Sequence, residues 1–165
     1  MIARGNKTLL RLPVWQDVPL LLEWEQNPEI IRNGRSNAPD FDEQQLTDFV
    51  VHKNDFSLYG QLRLMIVNHH GRAIGTLDFF NFRADAGSCE IGILIADLRE
   101  RNQGYGADAL AAIIGYARQV LCLKTLIAHV DLFNRPSTRL FEKCGYTGVK
   151  SSEDVIQFTL SLANV

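Results

Sequence analysis

Arg101-Asn102-Gln103-Gly104-Tyr105-Gly106 is the stretch on which the reading of this chain turns. It follows Glu90-Ile91-Gly92-Ile93-Leu94-Ile95, which reads as a buried strand, and precedes an amphipathic run from Ala107 to Leu121. A strand, a glycine loop and a helix start together form an anion site. The first amides of a helix lack intrahelical partners and carry partial positive charge. Glycines tolerate positive φ and let a backbone close around a phosphate. The loop alone is weak evidence, because a plain strand–helix turn has the same composition. No Gly-Lys-Ser/Thr follows it, and the spacing is not that of a dinucleotide fingerprint, so its neighbours must decide.

Composition narrows the choice. The chain has 165 residues, 46% of them hydrophobic, which predicts a single globular domain over 1–165 with a substantial core. The formal net charge of -2 gives no support for nucleic-acid binding. No window approaches the roughly 20 apolar residues of a membrane span, and the N-terminus lacks the apolar stretch of a secretory signal. Cys89, Cys122 and Cys144 are scattered, so neither a disulfide framework nor a metal site is expected. A reducing cytoplasm is the expected compartment.

Outward from the loop the pattern has two halves. Thr8 to Val14 reads as a first strand, Asp17 to Gln26 as a helix ended by Asn27-Pro28, and Asn33 to Pro39 as a loop. Asp42 to Lys53 reads as a second helix with Asp42 as N-cap. Three strand-like runs follow, Gln61 to Val67, Arg72 to Phe80 and Cys89 to Ile95, arranged as an antiparallel meander. After the loop, Leu110, Ile113, Ile114, Ala117, Val120 and Leu121 recur at helical spacing. Thr125 to Val130 reads as a buried strand, Asn134 to Cys144 as a helix stopped by Gly145, and Val155 to Leu162 as a last strand. The fold class is therefore α+β, a mixed sheet flanked by helices.

This arrangement resembles the GNAT superfamily of acyl-CoA-dependent N-acyltransferases. The family's pyrophosphate loop, Gln/Arg-x-x-Gly-x-Gly/Ala, is matched by Arg101 to Gly106. Its second feature, an Asn followed by a helix ending in Gly-Phe/Tyr, is matched by Asn134 and by Leu140-Phe141-Glu142-Lys143-Cys144-Gly145-Tyr146. The resemblance implies a mostly antiparallel sheet with a V-shaped cleft, where strand 90–95 splays from strand 125–130. It implies acetyl-CoA as cosubstrate. The pantetheine arm would lie on the main chain of Ile93, Leu94 and Ile95, the pyrophosphate on Arg101, Asn102, Gln103, Gly104, Tyr105 and Gly106, and Asn134 would touch the cofactor. Asn134 reads equally well as a helix N-cap.

The implied reaction needs a neutral amine, and alkylamines are protonated at neutral pH. A base must take the proton. Glu90 is the first candidate, with an exposed strand-start acid as the plain alternative. Asp78, alone in an apolar strand, is a second: substrate ligand, base, or a solvent-facing acid. Many relatives place a tyrosine acid where this chain has Phe141; Ser137, at Asn-x-x-Ser, matches a serine that related ribosomal-protein N-terminal acetyltransferases place near the thiol, with a first-turn helix residue as the plain alternative. Tyr105 is expected to pack on the cofactor. The histidines carry less weight, and His129 reads as a core histidine.

The acceptor region contains Glu23, Glu25, Glu29, Asp40, Asp42, Glu43 and Asp48, which either attract a polycation or form ordinary helix surface. Trp24 and Phe41 could line an aliphatic chain or belong to the core. In detail the chain is similar to bacterial spermidine/spermine N-acetyltransferases, which implies a polyamine or small diamine acceptor. Ribosomal-protein N-terminal acetyltransferases imply a protein N-terminus instead. A non-catalytic acyl-CoA-binding module is the alternative of another class. The resemblance leaves a homo-oligomer open.

Overall fold

The computed structural model describes residues 1–32 and 42–163. Its frame is one eight-stranded sheet. Ala3–Arg4 (β1) and Thr8–Arg11 (β2) form an N-terminal hairpin at one edge. Leu62–Asn68 (β3), Ala73–Arg83 (β4) and Ser88–Ile95 (β5) form the expected meander. Thr125–Asp131 (β6), Thr147–Lys150 (β7) and Val155–Ser161 (β8) complete it, in the order β1-β2-β3-β4-β5-β6-β8-β7. Every pairing is antiparallel except β5 with β6, which the helix Tyr105–Gln119 (α5) connects. A parallel pair needs such a crossover, so the helix after the glycine loop is a topological necessity.

The two faces of the sheet are covered differently. On one, α5 and Arg135–Lys143 (α6) bury Leu64, Leu77, Ile91, Ile113, Phe141 and Phe158 in the larger core. On the other, Val18–Gln26 (α1), Pro28–Arg32 (α2) and Glu43–Asp48 (α3) bury Val18, Leu21, Leu46, Met65 and Val67. Strand alternation sorts these sets: Leu64, Leu77 and Ile93 share a register row on the α5 face, and Met65, Thr76 and Leu94 one on the α1 face.

Asp42 caps α3 as expected, accepting from the Gln45 amide at 2.8 Å. The helix read over 42–53 is not uniform, because a π turn over Phe49–Lys53 replaces its second half. A short helix, Phe56–Tyr59 (α4), was not expected, nor were β1 and β7. The helix read over 107–121 runs instead over 105–119. Val120 lies beyond its end and is exposed, and Cys122 takes a positive φ. The loop read over 33–39, together with Asp40 and Phe41, lies outside the described residues.

Candidate active site

The β5–β6 ladder holds only three pairs, Ser88 with Thr125, Cys89 with Leu126 and Glu90 with Ile127. Beyond Glu90 the strands part, yet β5 continues to Ile95 and β6 to Asp131. The gap opens into a cleft of about 1650 Å³. The expected splay is therefore present, and it begins at Glu90.

The opened edge offers main-chain groups to a ligand, though not from every residue first named. The Leu94 carbonyl is turned toward β4, so close that a Cβ on Gly75 would meet it at 1.9 Å. The Ile95 carbonyl instead accepts from Arg101 Nε at 2.9 Å. Alternation along the strand then turns the main chain of Ile93 and Ile95 to the gap and that of Leu94 away. Leu94 is thus removed from the expected main-chain contacts, and Arg101 spends its side chain on tying the loop to β5.

The glycine loop has the geometry of an anion cradle. Gly104 is the N-cap of α5 with φ +86, and the first intrahelical bond runs from the Asp108 amide to its carbonyl. The amides of Gly104, Tyr105, Gly106 and Ala107 therefore have no carbonyl upstream within the helix. Asn102 also takes a positive φ of 61. Three expectations change in detail. Gln103 turns its side chain back to the Arg99 carbonyl and is not on the cleft wall. Tyr105 is 4% exposed and packs in the larger core with its hydroxyl 3.4 Å from His69 Nδ1, while still bordering the cleft. Gly106 is small because α6 approaches: a Cβ there would meet Leu140 Cδ2 at 3.2 Å.

A second device holds this loop in place. Asp108, in the first turn of α5, accepts from the amides of Asn6, Lys7 and Thr8 and from the Thr8 hydroxyl. Partial burial pushes its carboxyl up, but these hydrogen bonds outweigh burial and hold it below the usual carboxylate range. Lys7 then donates to the Gln103 carbonyl at 3.0 Å. Nothing in the sequence reading pointed to this clasp.

On the other side of the cleft, Asp78 is neither solvent-facing nor a loose acid. It stands opposite Arg63 in the register, and the guanidinium binds both its oxygens. Arg63 also donates to Glu25 Oε1 at 2.9 Å. Glu25 is therefore engaged inside the protein instead of guarding an entrance, Asp42 is a helix cap, and Asp48 pairs with Lys53 at 2.6 Å. Trp24, expected near the substrate, is 7% exposed and packs with Val18, Leu21 and Leu46; it is not on the cleft wall.

Glu90 sits where the strands part, with its side chain 25% exposed. His129, read as a core residue, lines the same cleft at 40% and lies 3.1 Å from Glu90. The strand 125–131 alternates: Leu126, Ala128 and Val130 are buried, whereas His129 and Asp131 are exposed. That alternation was visible in Thr-Leu-Ile-Ala-His-Val-Asp. Asn134 caps α6 by accepting from the Ser137 amide at 3.2 Å, and both line the cleft. Phe141 also borders it, 3% exposed, stacked on Phe158 and edge-on to Tyr146. Burial pushes the Cys89 thiol up to about 12, which removes it as a nucleophile. Among the described residues no group of His, Cys, Asp and Glu could hold a metal ion.

The acetyltransferase (GNAT) domain family matches residues 7–147. The chain belongs to that family. It is accordingly an acetyl-CoA-dependent acetyltransferase. A relative, the N-acetyltransferase 9-like protein of Nematostella vectensis, is 29% identical over 94% of this chain and 82% of its own length. The acetyltransferase PseH of Campylobacter jejuni is 26% identical over 88% of this chain and 86% of its own. Among solved structures, the spermidine N-acetyltransferase of Vibrio cholerae in complex with CoA and spermine superposes with a TM-score of 0.82 at 18% identity, covering 94% of this chain and 96% of that one. That likeness shows the GNAT fold, with its mixed sheet and flanking helices. No helix among the described residues of the acetyltransferase is long and apolar enough to cross a membrane.

Proposed function

We propose that the protein acetylates a primary amine, with a polyamine or other small diamine as the first acceptor class and Glu90 as the base. The observation that carries this reading is the position of Glu90 at the point where β5 and β6 part. An acid there is half-open to the cleft and close to whatever the β5 edge and the glycine loop hold.

The residues present fit acetyl-CoA. The free amides of 104–107 and the positive φ of Gly104 suit a pyrophosphate, and the main chain of Ile93 with the Ile95 amide, whose carbonyl is taken by Arg101, suits an amide-bearing arm. Bound there, acetyl-CoA supplies an activated thioester, whose acyl carbon gains a bond to nitrogen as its bond to sulfur breaks. The protein's own work is proton transfer and positioning. Glu90 takes the proton that leaves the amine. Ser137 donates a hydrogen bond toward the departing thiolate, since Phe141 has no proton to give. Asn134 fixes Ser137 through its cap and borders the cofactor. Asp78, held by Arg63, contributes a fixed carboxylate to the acceptor wall.

A second reading has its own support. Glu25, Asp42 and Asp48 are committed within the protein, which weakens the case for a polycation and favours a protein N-terminus. Incubation with acetyl-CoA and either spermidine or a set of N-terminal peptides, followed by mass spectrometry, separates the two. Acetylated spermidine supports the first; acetylation of peptides alone replaces it with the second.

A further inference from the structure

Glu90 does not stand alone in the cleft. Its Oε2 lies 3.1 Å from His129 Nδ1, and its Oε1 accepts from Asn81 Nδ2 at 3.1 Å. On the far side of the ring, His129 Nε2 lies 3.3 Å from Gln157 Oε1. Four adjacent strands, β4, β5, β6 and β8, contribute one side chain each to this row.

The register explains how it forms. Glu90 is paired with Ile127 at the last rung of the ladder. Side chains two apart share a face, so His129 projects from the same face as Ile127, one step into the gap. There the backbones have separated and an imidazole spans the added width. Gln157 is the direct partner of His129 across β6 and β8. Asn81 reaches Glu90 only because the β4–β5 register breaks between Phe80 and Arg83, where Asn81 takes a φ of 51. Asparagine is among the few non-glycine residues that take this left-handed conformation readily. Both ends of the Glu90 carboxylate are thus deliberately held.

We propose that His129 is a positioning residue that gates Glu90 through its own charge. Neutral with its proton on Nδ1, it donates to Glu90 Oε2 and leaves the carboxylate its charge, and the Gln157 side chain then presents its NH2 group to Nε2. Protonated, it places a cation 3.1 Å from that carboxylate, weakens it as a base and repels an ammonium acceptor. Other charged groups share the cleft wall: Asp131 on β6, Asp78 on β4, Arg139 and Lys143 on α6, and Lys53 across the gap. Asp78 is bound by Arg63 and Lys53 by Asp48. Turnover is therefore expected to fall once the imidazole carries a proton.

This inference rests on Glu90 as base, and its test separates the two. The ratio of kcat/KM for wild type to that for His129→Asn is measured across about pH 5 to 8 with one primary amine. The ionisation of the amine cancels in the ratio. Asn keeps a neutral donor but cannot take a charge. The wild type is expected to lose about tenfold more activity than the variant on going from pH 8 to pH 5. His129→Gln serves if His129→Asn is insoluble, and an unchanged KM for acetyl-CoA reports an intact fold. A ratio that is constant with pH overturns the inference and leaves Glu90 as base. Wild-type turnover that survives Glu90→Gln undiminished overturns the base reading, and the inference with it.

Discussion

Arg63 grips Asp78 with two prongs, Nε to Oδ1 at 2.7 Å and Nη2 to Oδ2 at 3.1 Å, directly across the β3–β4 register. Burial works against the Arg63 charge, but Asp78 and then Glu25 outweigh it and raise the guanidinium above its ordinary value. A carboxylate held this way is a structural charge first. Asp78→Asn is expected to cost about 2–4 kcal/mol in denaturant unfolding, because it leaves a buried cation partly compensated. Full stability together with lost turnover would instead make Asp78 the base.

Gly104 is the residue on which cofactor binding depends most. At φ +86 any side chain is strained, by about 1–2 kcal/mol. Gly104→Val also puts bulk beside the amides of 104–107. Wild type should gain melting temperature with acetyl-CoA, and Gly104→Val should show no gain while its unliganded Tm falls only a few degrees. An undiminished acetyl-CoA shift in the variant would remove the loop from the binding site.

The Asp108 clasp makes a prediction about pH. Its carboxyl is lowered in the folded protein, so the stability it contributes is present above its unfolded value of about 3.9. That contribution is lost as pH falls through the folded value. Asp108→Asn should therefore cost about 1 kcal/mol at pH 7, and the difference from wild type should close below about pH 4. A difference that persists unchanged into acid would show that shape, not charge, holds Asn6 to Thr8.

The proton for the thiolate is tested by a cycle. Phe141→Tyr introduces a hydroxyl at the cleft border and is expected to fold and to raise kcat. Ser137→Ala should lower kcat in the wild type and have a smaller effect beside Phe141→Tyr. Equal effects in both backgrounds would mean that the two positions do not share the role.

How much was legible follows the range of the interactions. The meander, the crossover helix and the Asp42 and Asn134 caps are local patterns, and residue types announce them. The splay was implied by the resemblance and is present. Arg63 was missed although it stands as conspicuously in its apolar strand as Asp78 does in the next. Pairing them requires the register, which no single strand carries. Asp108 holding Asn6 to Thr8 joins residues 100 to 102 positions apart and leaves no periodic trace. His129 was misread for a different reason: β6 alternates, burying Leu126, Ala128 and Val130 on one face and turning His129 and Asp131 to the other, and the apolar neighbours masked that period.

The central claim is acetyl transfer to an amine, and amine-dependent release of the CoA thiol tests it most directly. Wild type with acetyl-CoA and spermidine or N-terminal peptides should release thiol in step with an N-acetylated product, and Glu90→Gln should lower that rate by about 10²-fold or more. Acetyl-CoA binding with no thiol release above buffer for any amine would contradict the account and leave an acyl-CoA-binding module.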